Sequence, residues 1–448
     1  MQRQRTFEIR RQRQGPPRPV AVAAALAAFA AAPVAPAATP AALAAFTLAA
    51  FAFALLVAVV AALALVGAAL PAAAAPSGAP IRIGSTLALT GPLAPTALIH
   101  KIAGEIYVEQ LNRGNGLLGR PVEWVLYDDQ SKPDVTRSLY EKLITVDKVD
   151  LIMGPYATSG ILAAMGVAQR YQKMIIHHSF GMPHLATYEM HFPVAPFGPE
   201  PQKTVPGMVL DGLATTKTPP KTVAIVTSKF PSAQYQSSGA REVAEKRGLK
   251  VLLYLEYEFG TRDWGSIAAR VKDANADFLW VGALGLDGNQ LLEALKKLDY
   301  SPPRHFHLFP APGPMITAPE AKLALSNTFF EEHPPFTNDV SSARLVALFK
   351  ERATKAGLPY TAVDTQAAGS FSAWQVLEAA IAATRSLDDK ALAAWLRKNK
   401  VDTMEGKLHF DGVNNYGEDL SKLRQVQDGK WLVVWPKEFA APGARILP

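Results

Sequence analysis

The sequence predicts an α/β protein built from two doubly wound, Rossmann-like lobes. Three observations lead to this fold class. Short apolar runs alternate with amphipathic helical patterns from Ile81 onwards, a proline-rich stretch at 193–201 interrupts this alternation, and a second alternating set runs from Lys221 to Phe309. Alternation of strands and helices is typical of a parallel sheet with helices on both faces, so two sets indicate two lobes.

Residues 1–75 are expected to be a leader that belongs to neither lobe. Six arginines and one acidic residue lie within residues 1–19, and no charged residue occurs from Val20 to Pro80. A basic start, the apolar stretch 41–70 and the small residues that follow are typical of a signal peptide, which places the remainder in the periplasm. The alternative is an uncleaved anchor in the inner membrane, because the apolar stretch is long enough to span a bilayer.

Composition excludes several classes of function. The leader holds six of the 46 basic and one of the 39 acidic residues, so the net charge falls from +7 to +2 without it. This balance gives no reason to expect nucleic acid as a partner. Because the chain has no cysteine, disulfides, thiolate metal sites, a cysteine nucleophile and a lipidated N-terminal cysteine are all excluded.

Periodicity and turn residues place the individual elements. The first set has predicted strands at 81–89, 122–127, 149–153 and 174–176, with helices at 97–112, 133–146 and from 161. The second set has predicted strands at 221–228, 250–257, 277–281 and 305–309, with helices at 237–247, 264–274 and 290–298. A strand at 326–331, helices at 343–356, 365–384 and 391–398, and antiparallel strands within 406–410 and 424–434 complete the prediction.

The stretch 149–161 is the leading candidate for a functional site. Its apolar run stops at Gly154-Pro155, and Thr158 and Ser159 precede the helical pattern that begins at Ile161. The two hydroxyls therefore lie at a strand-to-helix turn, where free backbone N–H groups and the helix dipole favour an anion. The alternative is that either hydroxyl only caps the helix.

Other motifs favour structural roles. His177 and His178 are adjacent, point to opposite faces of a strand and have no cysteine or HExxH partner, so we expect no metal site. One of the two could instead approach a bound anion. The Gly-x-Gly-x-x-Gly sequence at 114–119 follows a helix and precedes a strand, the reverse of the dinucleotide-binding order, and is predicted to be a turn. Without a Gly-x-Ser-x-Gly motif or a P-loop, we expect neither an enzyme nor a cofactor.

Several short segments follow one another in a characteristic order. They are Thr90-Gly91-Pro92, Asn115-Gly116, Tyr127-Asp128-Asp129, 149–154, Ala276-Asp277-Phe278, 406–411 and 425–431. Through them, nearly all of residues 80–448 resembles the branched-chain amino-acid binding protein family, the type I periplasmic solute receptors of ABC importers. The resemblance implies two α/β lobes joined by a three-strand hinge, with one solute bound between them.

The resemblance also implies lobe boundaries and partners. Lobe 1 is expected to comprise residues 76–196 and 332–420, and lobe 2 residues 197–331 and 421–448. The implied function is an extracytoplasmic solute receptor that acts as a monomer and delivers a small molecule to an ABC permease in the membrane. The alternative is a ligand-binding sensor ectodomain of the same fold, retained by an N-terminal membrane anchor.

In the family, a hydroxyl and backbone N–H groups at two turns of lobe 1 hold the carboxylate of the solute. By resemblance, the contacts expected from lobe 1 are Tyr156, Ala157, Thr158, Ser159, Ser179, Phe180 and Gly181, with Thr96 overhanging the solute. The walls expected from lobe 2 are Phe230, Tyr235, Leu284 and Leu286. Thr158 is the best match to the hydroxyl donor.

The expected ligand depends on a missing acidic residue. Amino-acid binders of the family hold the ammonium group with an acid in a lobe 2 loop, which here reads Pro310-Ala311-Pro312-Gly313-Pro314. A buried ammonium without a counter-ion is costly. Either another acid such as Asp287 serves, or the solute is not an α-amino acid. We therefore expect an aromatic or aliphatic carboxylate, with an amino acid as the alternative.

Overall fold

The computed structural model describes residues 75–284, 286–308, 315, 316 and 318–448, which belong to one compact unit. The predicted leader, apart from its last residue, and the loop 310–314 therefore lie outside the described residues. The described strands are β1 (Ile81–Leu87), β2 (Val122–Asp128), β3 (Leu151–Met153), β4 (Ile175–His177), β5 (His191–Pro193), β6 (Thr222–Ser228), β7 (Lys250–Tyr257), β8 (Phe278–Gly282), β9 (His305–His307), β10 (Leu325–Thr328), β11 (Val401–Thr403), β12 (Gly406–Leu408), β13 (Lys422–Gln427) and β14 (Lys430–Trp435).

Helices connect most of these strands. The described α-helices are α1 (Ala94–Arg113), α2 (Pro133–Thr145), α3 (Thr158–Arg170), α4 (Pro201–Ala214), α5 (Pro231–Lys246), α6 (Trp264–Ala274), α7 (Asp287–Lys297), α8 (Val340–Lys355), α9 (Thr365–Thr384) and α10 (Asp389–Leu396). None of the helices in the described part of the chain is both long and apolar enough to cross a membrane.

The strands form two large sheets, which confirms the predicted α/β class. The first sheet is parallel throughout, in the order β2-β1-β3-β4-β5. The second has the order β14-β13-β10-β9-β8-β6-β7, in which the β10–β13 and β13–β14 pairings are antiparallel and the other pairings are parallel. Every residue of β3, β4, β8 and β9 is buried. Burial on both faces explains why β3 and β8 lie within continuous apolar runs of the sequence.

The last three helices return to the first sheet. Phe371, Trp374 and Leu377 of α9 lie in the same hydrophobic core as the apolar residues of β1, β3 and β4. The second sheet packs between two further cores, one around Leu279 and Leu291 and the other around Trp280 and Phe306. We call the two resulting parts the first lobe and the second lobe, after their sheets.

Three chain segments run between the lobes. Beside the first, the N–H of Leu420 donates to the carbonyl of Pro196 at 2.9 Å. The second and third contain Glu331 and Arg424, which form an ion pair that is almost completely buried. These pairings hold the crossing segments side by side, as a three-strand hinge requires. The exact residue at which each lobe ends remains a prediction.

Candidate functional site

The turn between β3 and α3 exposes a set of free backbone donors. Ala157 precedes the helix with φ 71° and ψ 149°, a conformation that is almost confined to glycine. No side chain caps α3, which corrects the alternative reading of Thr158 or Ser159 as a simple helix cap. Among the described residues, the N–H groups of Thr158, Ser159 and Gly160 have no acceptor. The helix therefore begins with three unpaired donors at its positive end.

A second turn, after β4, is bonded to the first. The N–H of Ala157 donates to the Ser179 hydroxyl at 3.0 Å, and the N–H of Gly181 donates to the Thr158 hydroxyl at 3.3 Å. Each hydroxyl accepts from the opposite turn, so the hydrogen on each oxygen stays available for a ligand. The two turns thus present hydroxyl donors and backbone donors on one surface.

This surface forms one side of a narrow pocket. The first lobe contributes five lining residues, which are Tyr156, Ala157, Thr158, Ser179 and Gly181. The facing residues are Phe197, at the crossing into the second lobe, and Phe230, Ser232, Gln236 and Leu284 of the second lobe. None of the ten carries a charge. The pocket therefore combines neutral donors on one side with mainly apolar walls on the other.

A second cavity adjoins the same turn. It shares Tyr156, Ala157 and Phe230 with the pocket, and Ser159 lines it together with the buried carboxyl of Asp129. That carboxyl accepts from the Thr86 hydroxyl at 2.7 Å and from the N–H of Ser131 at 3.1 Å. Both of its oxygens therefore have partners within the first lobe.

The structure brings together most of the residues that the sequence analysis selects. Tyr156, Ala157, Thr158, Ser179, Gly181, Phe230 and Leu284 all line the pocket, and Ser159 lies in the neighbouring cavity. Their roles in binding remain a prediction.

Four selected residues do not line this pocket, and their contact with a ligand stays a prediction. Phe180 is only 1% exposed and packs edge-on against His177, because its side chain turns into the first core. Thr96 is buried on α1 and lines neither cavity. The ring of Tyr235 instead packs against the ring of His184, with the two centroids 4.6 Å apart. Leu286 is 48% exposed and also lies outside the pocket.

Sequence reasoning missed Phe197, Ser232 and Gln236. Ser232 and Gln236 lie one turn apart at the start of α5, directly after β6. The rule that selects the β3–α3 turn also applies to this position, since both lie at the carboxyl end of a parallel strand. That rule was a usable signal for both side chains.

The histidines are structural. His178 stacks on His100 with the ring centroids 4.2 Å apart, and burial lowers its pKa to about 4. His177 shares a hydrogen bond of 2.9 Å with His191, and burial lowers its pKa well below the ordinary value. These rings are neutral at pH 7 and do not line the pocket. Within the described residues, no group of His, Cys, Asp and Glu is arranged to hold a metal ion.

No acidic side chain in the described residues faces the pocket. Asp287, the candidate counter-ion for an ammonium group, accepts from the Tyr257 hydroxyl at 2.9 Å and lines neither cavity. Burial raises its pKa to about 6, with the Tyr257 hydrogen bond acting in the opposite direction. Residues 285, 309–314 and 317, which the structure does not describe, include no Asp or Glu in the sequence.

Comparisons with known proteins agree with this fold. A family model described as "Periplasmic binding protein" matches residues 80–430. The leucine-, isoleucine-, valine-, threonine-, and alanine-binding protein of Pseudomonas aeruginosa is 22% identical over 335 residues, which cover 74% of this chain and 86% of that protein.

Two solved structures illustrate the similarity in fold. A branched-chain amino acid transporter substrate binding protein from Streptococcus pneumoniae, in complex with isoleucine, has a TM-score of 0.68 and 14% identity, covering 79% of this chain and 98% of its own. An ABC transporter solute binding protein from Rhodopseudomonas palustris, in complex with benzoate, has a TM-score of 0.67 and 19% identity. The match covers 82% of this chain and 99% of that protein.

Proposed function

The chain belongs to the periplasmic binding protein family, and from this premise we propose that it binds a small carboxylate-bearing solute between its lobes and delivers it to an ABC permease. The family consists of solute-binding receptors rather than enzymes. The observation that carries the proposal is the start of α3 and the turn beside it, where the Thr158 N–H, which has no acceptor among the described residues, and the hydroxyls of Thr158 and Ser179 border a pocket between the lobes.

Neutral donors can hold a carboxylate in this position. A hydrogen bond to a charged group contributes about 1.5–3 kcal/mol, and the helix dipole adds about 0.3–1 kcal/mol. Thr158 and Ser179 each have a hydroxyl hydrogen available, because their oxygens accept from Gly181 and Ala157. No buried cation is needed, so the pocket avoids the cost of desolvating a lysine or an arginine.

The walls favour a small apolar body on that carboxylate. Phe197, Phe230 and Leu284 face the donor surface and give the pocket apolar walls. The relative from P. aeruginosa is named for amino acids, and the structural neighbour from R. palustris holds benzoate. The lack of a facing acid favours an aromatic or aliphatic acid, with an amino acid as the alternative.

The remaining parts of the proposal concern the whole chain. We propose that residues 1–75 direct export to the periplasm, that residues 76–196 and 332–420 form the first lobe, and that residues 197–331 and 421–448 form the second. The strand membership of the two sheets supports this division. The exported receptor would act as a monomer, with the solute and the membrane permease as its partners.

A thermal-shift screen tests the binding function directly. The panel contains aromatic acids, aliphatic acids and amino acids, and a solute at about one hundred times its Kd should add about 2.7 kcal/mol to the stability. For the best ligand, Thr158→Ala should weaken binding at least about tenfold, equal to about 1.4 kcal/mol, while Thr158→Ser keeps most of the affinity. Equal affinity of both variants and the wild type by calorimetry would place the carboxylate elsewhere.

The sensor ectodomain remains the second candidate, because the apolar stretch 41–70 is long enough to be an anchor. Cell fractionation followed by N-terminal sequencing separates the two functions. A mature protein that starts near residue 75 supports the receptor, whereas a membrane-bound chain that retains the apolar stretch supports the sensor.

A further inference from the structure

One buried polar group in the pocket has no partner in the protein. Gln236 is only 2% exposed, lies on α5 one turn after Ser232 and lines the pocket. Among the described residues, its side-chain oxygen makes no hydrogen bond. An unpaired buried carbonyl lowers stability, and most buried polar groups in proteins therefore have a partner. A side chain in this state beside a pocket is explained if a ligand supplies that partner.

The position of Gln236 is close to the proposed carboxylate site. A Cβ atom placed on Gly181 would be 3.3 Å from the Gln236 amide nitrogen and 3.0 Å from the Cβ of Ser232. Gly181 is also the residue whose N–H donates to Thr158. The amide thus faces the donor surface across a single glycine, and any larger residue at position 181 would push α5 away from it.

We propose that Gln236 is a specificity-determining residue that hydrogen-bonds a hydroxyl group on the solute, so that the natural ligand is a hydroxylated carboxylic acid rather than an α-amino acid. This inference rests on the proposed function, because it assumes that a carboxylate occupies the start of α3. The inference identifies the second polar group of the ligand as a hydroxyl, and it identifies Gln236 as the residue that binds this group.

The chemistry of the pocket separates a hydroxyl from an ammonium. A hydroxyl both donates and accepts, so it can pair with an amide in either orientation. An ammonium group only donates, and its charge needs a counter-ion when water is excluded. Gln236 is neutral, and Asp287 is already bonded to Tyr257 outside the pocket. The pocket therefore satisfies a hydroxyl fully and leaves an ammonium without a counter-ion.

Calorimetry on the full mature protein with matched ligands tests this assignment. One series compares 4-methylpentanoate, 2-hydroxy-4-methylpentanoate and leucine, and the other compares 4-methylbenzoate, 4-(hydroxymethyl)benzoate and 4-(aminomethyl)benzoate, whose amine is an ammonium at pH 7. In at least one series, the hydroxylated acid should bind about tenfold or more tightly than both matched compounds, because a site built for a hydroxyl discriminates against analogues that lack it. The series that shows the preference distinguishes an aliphatic from an aromatic ligand.

Variants then assign the preference to Gln236. Gln236→Met keeps the size of the side chain and should reduce the preference to less than about twofold. Gln236→Glu supplies a carboxylate and should shift the preference toward the amine-bearing compound. Gln234→Met is the control on the same helix, because Gln234 bonds Glu256 at 2.7 Å and lies outside the pocket.

Each outcome decides between the two proposals. If no carboxylate of either series binds, the proposed function is wrong and this inference fails with it. If carboxylates bind but the hydroxyl gives no advantage, or if Gln236→Met retains that advantage, only the assignment to Gln236 is overturned. The thermal midpoint of each variant, compared with the wild type, shows that the fold is kept, and Gln236→Glu provides the test if Gln236→Met does not fold.

Discussion

Replacing Ala157 by glycine separates the conformation of the β3–α3 turn from the side chains around it. Ala157 has φ 71° and ψ 149°, where a Cβ atom costs of order 1–3 kcal/mol. Glycine removes that strain but adds about 0.5–1 kcal/mol of conformational entropy to the unfolded chain. The expected net effect is a stabilisation of about 1 kcal/mol, which corresponds to a rise in Tm of about 2 °C.

The same change should weaken ligand binding. The strained turn fixes the direction of the first N–H groups of α3, and a glycine allows them other orientations. If the ligand must order this more flexible turn at a cost of about 0.5–1 kcal/mol, the affinity falls about two- to fivefold. A variant that is more stable and binds less tightly is the signature of strain that serves a function.

Gln172→Gly is the matched control at the other end of α3. Gln172 has φ 55°, in the left-handed region after the helix, and the next N–H, of Lys173, donates to the carbonyl of Ala168 at 2.9 Å. Glycine is the preferred residue at this position, so a comparable rise in Tm is expected without any change in affinity. Thermal denaturation and calorimetry measure both quantities. A lower Tm for Ala157→Gly would refute the strain, and an unchanged affinity would refute its role in binding.

Three further predictions concern the packing and charge of the fold. A Cβ on Gly239 would lie 2.1 Å from a carbonyl oxygen of α4, so Gly239→Ala should destabilise the protein by at least about 1–3 kcal/mol. Gly166 has open space around it, so Gly166→Ala should stabilise the protein by about 0.5–1 kcal/mol. Urea denaturation measures both changes. Arg424→Met should cost about 3–5 kcal/mol because it leaves Glu331 buried and unpaired, and adding Glu331→Leu should recover most of that loss. Burial raises the pKa of Asp364 to about 6 from 3.8, so its contribution to stability is greatest below pH 4 and falls as the pH rises to about 6. Asp364→Asn, which can still cap α9, should reduce that fall in melts between pH 4 and 7.

The sequence predicts the exact first and last residues of some elements, because the residues at their ends are typical of such boundaries. Strand β7 and helices α6 and α9 have the predicted bounds. Asp263 and Asp364 cap the two helices by accepting from backbone N–H groups, and aspartate is a favoured residue at that position. Local chemistry alone determines such boundaries.

Helix α4 was missed because tertiary packing overrides its local sequence. It contains Pro206 and two glycines, residues that normally argue against a helix. Val205, Val209 and Leu213 of this helix are completely buried in the core beside the second sheet. That burial offsets the lost backbone hydrogen bond, and nothing within the segment itself reveals it.

The missed part of the site has a local cause. The predicted helix starts at Ser237, whereas α5 begins at Pro231, which occupies the first helical position that proline favours. The late start leaves Ser232 and Gln236 in a predicted loop and selects Tyr235 instead. The register of the true helix turns Ser232 and Gln236 to the pocket.

The two lobes contribute unequally to recognition. The start of α3 and the hydroxyls of Thr158 and Ser179 are held together by hydrogen bonds within the first lobe, so the proposed anion site does not depend on the second lobe. Most of the facing wall, including Gln236, belongs to the second lobe and would contact the proposed ligand only when the lobes are together. Substitutions on α3 should therefore change the affinity for every carboxylate by a similar factor. Substitutions on α5 should change the ratio of the affinities for different carboxylates. If substitutions on α3 changed that ratio instead, this division of roles would be wrong.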